Sequence, residues 1–281
     1  MEGKLVICPT PLGNLGDMTL RALEALRQAD TVCAEDTRVT GKLLSALGVE
    51  GKRLERLDEN LMGEKASSIV ERVLSGETIA YCSDAGMPGV SDPGLRLVRA
   101  AREAHAVVEV LPGPTAVATA YVASGTASPS FYFGGFFPRK DRARKEALEA
   151  LRGLDAALVF YESPNRLVSA LEAIAETLPR REVAVCRELT KLHEEIRRGT
   201  AGELVADFSA RDVVKGEIVL IIDAPGADER AADAENARDR AIQRASELAA
   251  AGDRPKTIAK ALVAEFGVSR NDAYEIALGQ R

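Results

Sequence analysis

The chain has 281 residues, of which 46% are hydrophobic and 28% charged, and its formal net charge is -6. This length suits two domains, or two and a small appendage, each with its own core. The composition is that of a globular, soluble protein, and the acidic balance excludes a uniformly basic nucleic-acid coat while leaving room for a local basic patch.

The four cysteines, Cys8, Cys33, Cys82 and Cys186, lie in strand-like runs without Cys-x-x-Cys spacing, which predicts buried, reduced thiols rather than disulfides or metal ligands. With only His105 and His193 available, a His-rich site is excluded and no metal is expected. A strand pattern begins at Lys4 with no basic-then-apolar leader before it, and the apolar runs are far too short to span a bilayer. A cytoplasmic protein with no membrane partner is expected.

Strand and helix signals alternate through the first third. The apolar run Leu5-Val6-Ile7-Cys8 is followed by a loop, Pro9 to Gly16, and Asp17 is a candidate N-cap for a helix carrying Leu20, Leu23 and Leu26. A second strand, Thr31 to Ala34, ends in Glu35-Asp36-Thr37-Arg38; helical spacing through Leu43, Leu44 and Leu47 stops at Gly48, and residues 63 to 75 predict another helix. Ile79 to Cys82 then leads, as a buried strand, into Ser83-Asp84-Ala85-Gly86-Met87-Pro88-Gly89-Val90-Ser91-Asp92-Pro93-Gly94, which Leu95 to Ala104 leave as a helix. Glycine allows close backbone approach and proline stiffens a loop, so this stretch reads as a rigid binding loop at the carboxyl end of a strand, with a long structural turn as the alternative. A further strand, Val107 to Leu111, is closed by Pro112-Gly113-Pro114-Thr115-Ala116 before a small-residue helix. The alternation predicts a largely parallel sheet covered on both faces. Gly13 and Gly16, with Glu35 and Asp36 further on, only imitate a dinucleotide fingerprint, because they do not form Gly-x-Gly-x-x-Gly.

The second third changes character. Phe131-Tyr132-Phe133-Gly134-Gly135-Phe136-Phe137 is followed by Pro138-Arg139-Lys140-Asp141-Arg142-Ala143-Arg144-Lys145. Aromatic faces stack on unpaired bases while Arg and Lys neutralise phosphates, making Arg139, Lys140, Arg142, Arg144 and Lys145 candidate RNA contacts; an apolar strand followed by a solvated helix face is the equal alternative. Strands at Ala157 to Tyr161, Val183 to Cys186 and Ile218 to Ile222 are flanked by the polar tips Glu162-Ser163-Pro164-Asn165-Arg166, Arg187 to Glu195, and Lys215-Gly216-Glu217. Residues 228 to 249 read as a solvated connecting helix, and Lys256 to Phe266 with Ser269 to Leu278 read as a helix-turn-helix around Gly267.

Taken in order, Thr10 to Asp17, Ala34-Glu35-Asp36-Thr37-Arg38, Ser83-Asp84-Ala85-Gly86 to Ser91-Asp92-Pro93-Gly94, Pro112 to Ala116, Phe136 to Lys140, Glu162 to Arg166 and Arg187-Glu188-Leu189-Thr190-Lys191 resemble the signature run of the ribosomal RNA small subunit methyltransferase I family, within the tetrapyrrole methylase superfamily. The resemblance covers residues 4 to 223. Met87 departs from it, standing where the family usually has Thr, so no hydroxyl hydrogen bond is assigned there.

The resemblance implies an α/β fold of two tandem α/β domains, 1–113 and 114–226, with the cofactor cleft between them, and a small all-α unit at 227–281. It implies S-adenosylmethionine as the cofactor, the ribose 2'-hydroxyl of a cytidine in the decoding centre of 16S ribosomal RNA as the methyl acceptor, and a homodimer. Carried over position by position, the cofactor would touch Pro11, the backbone of Ser83, Asp84, Ala85 and Gly86, and Thr115 and Ala116. From the second domain it would meet Tyr161, Glu162, Leu189 and Glu217.

Methyl transfer from a sulfonium is an in-line displacement, so alignment supplies much of the acceleration, and some group must take or hold the proton of the ribose hydroxyl. Asp84, Glu162, Glu188 and Lys191 are candidates, Lys191 only with a depressed pKa. The expected arrangement has Glu162 or Glu188 orienting the hydroxyl while Arg187 and Lys191 hold phosphate. A tetrapyrrole methyltransferase would share the cofactor frame without needing the basic aromatic segment, and a non-catalytic nucleic-acid-binding regulator would leave the central loop without a role.

Overall fold

The computed structural model describes residues 3–279. Five short strands, β1 (Lys4–Ile7), β2 (Thr31–Ala34), β3 (Arg53–Arg56), β4 (Ile79–Cys82) and β5 (Val107–Val110), form a wholly parallel sheet in the order β3-β2-β4-β1-β5. Successive side chains of a strand point to opposite faces. Leu5, Ile7, Cys33 and Tyr81 therefore join one core with Met62, Ile69 and Leu97, whereas Val6, Ala80 and Cys82 join the other with Ala22, Leu26 and Leu44. The helices that supply these residues are α1 (Leu20–Gln28), α2 (Thr37–Ala46), α3 (Glu59–Leu74) and α4 (Gly94–Glu103). Both faces are thus covered, as the alternation of signals predicts.

Local chemistry sets the helix ends. Asp36 caps α2 and Asp58 caps α3, and Gly48 at φ +66° ends the turn after α2. Asp17 is not the cap of α1: it closes a single 3-10 turn, Leu15–Asp17, and the Thr19 side chain accepts from the Ala22 amide instead. Strand β3, Arg-Leu-Glu-Arg, has no apolar run to announce it and exists because β2 offers a free edge, where charged side chains are tolerated.

The second sheet is mixed. Strands β6 (Phe131–Phe136), β7 (Ala157–Glu162), β8 (Glu182–Arg187), β9 (Glu195–Thr200) and β10 (Ile218–Ile222) lie in the order β6-β7-β10-β8-β9; β6 and β7 are parallel and every other pair is antiparallel. Around it run α5 (Ala116–Ala123), α6 (Asp141–Leu151), α7 (Leu167–Thr177) and α8 (Ala201–Ser209). The two sheets belong to one compact unit, comprising residues up to Glu149 together with Ala156–Asp223. Val90 of the central loop packs into the core of the second sheet beside Val117 and Val219, joining the two halves.

Edge strand β9 is held by charge rather than by apolar burial. The Glu195 carboxylate accepts from Arg187 Nε at 2.9 Å, Arg211 Nη1 at 2.8 Å and Arg197 Nε at 3.0 Å. Arg211 foremost, against a smaller cost of burial, holds this carboxyl down to about 2. A depressed acid stabilises the fold above its ordinary pKa and loses that contribution as pH falls through its folded value. Glu195→Gln is therefore expected to lower the unfolding midpoint near neutral pH, and the gap to the wild type should close between about pH 4.5 and about pH 2 in thermal scans; a pH-independent gap would assign the loss to packing.

The other compact unit comprises Ala150–Asp155 and the chain from Ala224 onward. Here α9 (Ala227–Ala250), α10 (Pro255–Phe266) and α11 (Arg270–Leu278) share a core of Ala241, Ala245, Ile258, Leu262, Ala273 and Ile276. Gly267 at φ +67° turns the chain between α10 and α11, and Ser269 caps α11 through the Asp272 amide. Alanines at 241 and 245 pack inward, so α9 is more than a solvated connector. All four cysteines are free and buried. No helix among the described residues is long and apolar enough to cross a membrane.

Candidate active site

Three loops leave the carboxyl ends of the adjacent strands β4, β1 and β5 and are laced together. Thr10 and Gly86 exchange both backbone hydrogen bonds, at 2.9 and 3.0 Å, and Thr10 Oγ1 donates to the Ser83 carbonyl at 3.2 Å. Gly86 has φ +80°, and a Cβ there would stand 3.1 Å from Leu12 Cδ2, so both backbone freedom and space demand glycine. At Gly113 a Cβ would fall 2.3 Å from Pro9 Cγ, which is how closely the first loop lies against the third.

The far half of the central loop is pinned by Asp92, whose Oδ1 accepts from the amides of Gly89 at 2.7 Å and Gly94 at 2.8 Å. Between them, Gly89 and Ser91 take φ of +96° and +67°. Asp92 lies in the loop and signature that the sequence marks but is not among the candidate site residues, although its place before Pro93-Gly94, where an Asp side chain organises nearby amides, carries the signal.

These loops and the tips of the second sheet bound a cavity of about 330 Å³, mainly apolar, whose wall includes Leu12, Ala85, Ala116, Phe136, Tyr161 and Glu217. A small-molecule site has this character: an apolar wall with a few fixed polar groups. Of the cofactor residues named from sequence, Ala85, Ala116, Tyr161, Glu162 and Glu217 line the cavity. Pro11 is buried beside Leu12, Ser83 is buried under the loop, Gly86 forms the bridge to Thr10, and Thr115 immediately precedes α5. Leu189 is turned into the core with Ala120 and Cys186 rather than toward the cavity. Asp84 is exposed and accepts from the Asp36 amide at 3.0 Å. Although its side chain reaches solvent, partial desolvation at the loop raises the Asp84 carboxyl, and burial raises Glu35 with help from Asp84 and Asp92.

Glu162 is the centre of a buried ion cluster. Its Oε1 accepts from the Ser163 amide at 2.7 Å and from Arg166 Nε at 2.7 Å, while Arg144 Nη2 lies 3.7 Å from Oε2. This corrects the expectation for Arg144, which is 3% exposed and cannot meet an RNA phosphate at the surface. It donates instead to the Pro138 carbonyl at 2.8 Å and to Ser169 Oγ at 2.9 Å, because it lies on the inward face of α6 with Leu148.

Glu188, Lys191 and Glu217 form a second cluster. Lys191 Nζ donates to Glu188 at 2.8 Å and Glu217 at 2.9 Å, and Glu188 also accepts from the Glu217 amide at 3.0 Å. The Lys191 bond leads in lowering the Glu188 carboxyl. Burial disfavours the Lys191 ammonium, yet its two carboxylate partners hold its pKa above the ordinary value, so it is not the depressed lysine a base requires. Gly216, at φ +97°, leaves room for this cluster: a Cβ there would stand 2.4 Å from Glu188 Cγ. Arg187 is committed to Glu195 and to the Lys215 carbonyl.

Among the remaining RNA candidates, Arg142 pairs with Glu146 and Lys145 with Asp141 and Glu176. Arg139 and Lys140 are exposed and have no ion pair among the described residues, and the same holds for Lys215 beside the cavity wall. Among the described residues no cluster of His, Cys, Asp or Glu could hold a metal ion.

The sequence profile for tetrapyrrole (corrin/porphyrin) methylases matches residues 4–205. A protein of Erythrobacter litoralis named ribosomal RNA small subunit methyltransferase I is 47% identical over 98% of this chain and 94% of its own length. A protein of the same name from Escherichia coli O157:H7 is 42% identical over 100% of this chain and 96% of its own length. Among solved structures, diphthine synthase superposes with a TM-score of 0.63 at 16% identity, covering 79% of this chain and 90% of that one. The methyltransferase CobJ superposes with a TM-score of 0.62 at 20% identity, covering 79% and 94%. The chain belongs to the tetrapyrrole methylase family, methyltransferases that use S-adenosylmethionine as methyl donor.

Proposed function

We propose that this enzyme methylates the ribose 2'-hydroxyl of a cytidine in 16S ribosomal RNA. The observation that carries the reading is a mainly apolar cavity of about 330 Å³ whose wall residues Phe136 and Gly216 adjoin in the chain Arg139, Lys140 and Lys215, exposed cations with no ion pair among the described residues, in a chain whose full-length relatives bear the name of a ribosomal RNA methyltransferase. S-adenosylmethionine supplies an electrophilic methyl group. Ala85, Ala116, Tyr161 and Glu217 are the residues we assign to holding it, and the constricted glycines at 86 and 113 fit a site where backbone closes on a ligand.

The acceptor oxygen must be aligned with that methyl and relieved of its proton. Glu162 is buried between two arginines, Glu188 is lowered by Lys191, and Lys191 is raised. Asp84 directly precedes Ala85 of the cavity wall and is not tied up in an ion pair among the described residues, and the partial desolvation of its carboxyl raises its pKa, which together favour it as proton acceptor over the other three. The working context we propose is a cytoplasmic homodimer acting on the small ribosomal subunit.

The test offers radiolabelled methyl donor with purified small subunits, stripped 16S RNA and a tetrapyrrole precursor in parallel. Label in a cytidine ribose is expected, with binding weakened by salt as phosphate contacts release counterions. Asp84→Asn should lose turnover while retaining cofactor affinity. Label confined to the tetrapyrrole would overturn the substrate.

A further inference from the structure

Strand β6 carries one residue more than its partner. Phe131, Tyr132 and Phe133 pair with Ala157, Leu158 and Val159 in step, but Tyr161 is met by Phe136. The extra residue is accommodated at Gly134-Gly135. Gly135 takes φ +72°, and at Gly134 a Cβ would fall 2.2 Å from Phe160 Cε1. A one-residue bulge exchanges the faces of everything that follows it. Without it Phe137 would share the face of Phe133; with it Phe136 does, and both rings meet Tyr161, at 4.9 and 5.5 Å. Phe137 is sent inward against Phe160, at 4.7 Å.

Phe136 is thereby placed on the cavity wall yet is 60% exposed. Its edge-on contact with Tyr161, at 70°, steadies the ring. Arg139 and Lys140 follow it within four residues and Lys215 directly precedes Gly216 of the cavity wall; all three are exposed and without an ion pair among the described residues. A steadied aromatic face beside available cations is the arrangement that receives an unstacked nucleotide, the ring against the base and the cations toward its phosphates.

We infer that Phe136 is the stacking platform for the base of the nucleotide being methylated, with Arg139, Lys140 and Lys215 receiving the flanking phosphates. The inference rests on the ribosomal RNA reading above. It makes Phe136 a substrate-positioning residue, separate from the residues assigned to the methyl donor.

The test compares wild type, Phe136→Leu and Phe136→Tyr. It measures kcat and KM for small-subunit RNA substrate, S-adenosylmethionine affinity by calorimetry, and oligomeric state by sedimentation. Phe136→Leu is expected to raise KM for the RNA on the order of ten-fold with cofactor affinity and assembly unchanged, and Phe136→Tyr to restore most of it. An unaltered KM in Phe136→Leu would overturn the inference. Weakened cofactor binding would overturn it in favour of a ring serving the methyl donor, and a changed oligomeric state in favour of a subunit interface. The wild-type arm keeps the failures apart: no RNA label from the wild type refutes the RNA reading and this inference together, whereas label with an unaltered variant KM refutes this inference alone.

Discussion

Asp92→Ala is expected to weaken S-adenosylmethionine binding on the order of a hundred-fold while the protein stays folded. The Asp92 carboxylate is the acceptor for two amides of its own loop, Gly89 and Gly94. Hydrogen bonds to a charged group are worth about 1.5 to 3 kcal/mol each, so two of them hold the loop by about 3 kcal/mol or more. That stabilisation sustains the positive φ of the non-glycine Ser91, which is unfavourable without it, next to Gly89, whose positive φ glycine adopts at little cost. The loop carries Ala85 and Val90 to the cavity, so releasing it disperses the wall we assign to the methyl donor. Asp92→Asn retains one acceptor oxygen and is expected to fall between the two. Calorimetry for the cofactor and thermal unfolding for the fold check the result. Cofactor affinity unchanged in Asp92→Ala would mean that packing of Leu95 against Gly89 suffices to shape the loop.

Glu162→Ala is expected to destabilise the protein by about 3 to 5 kcal/mol, the range for breaking one side of a buried ion pair. The Glu162 side chain is wholly buried and Arg144 nearly so, whereas Arg166 reaches solvent. Removing the carboxylate strands the Arg144 charge where water cannot follow, although its bonds to Pro138 and Ser169 remain. Replacing both partners by apolar residues of similar size, as in Glu162→Leu with Arg144→Met, should recover much of the loss, because the desolvation cost disappears with the charges. Urea unfolding of the two single variants and the double variant measures the coupling. Additive losses would show that Glu162 and Arg144 act separately, with Arg166 as the effective partner of Glu162.

Much of the frame was legible along the chain. Strands β1, β2, β4 and β10 are apolar runs, and a strand buried on both faces has no need of alternation. Residues 63 to 75 point to α3, whose start at Glu59 lies four positions earlier because Asp58 caps it there. Gly267 and Ser269 mark the end of α10 and the start of α11 with cap chemistry that is local to each. The glycine- and proline-rich loops likewise announce themselves, since positive φ and close backbone approach are demands that few residues other than glycine meet.

What depends on neighbours distant in sequence was not legible. Strands β3 and β9 are polar segments that become strands only because β2 and β8 present open edges. Arg144 lies in a basic run that reads as solvated, and only the packing of α6 turns it inward to Glu162. Phe136 and Phe137 are indistinguishable in sequence, and the bulge against β7 decides which faces the cavity. The sequence by itself determined where backbone is stiff, where it is free and which segments are apolar enough to be buried, because those are properties of single residues and their near neighbours. The tertiary structure alone decided which charges neutralise one another, which stay without an ion pair among the described residues and which aromatic ring stands on the cavity wall, because Coulombic pairing and strand register are set by groups brought together from far along the chain.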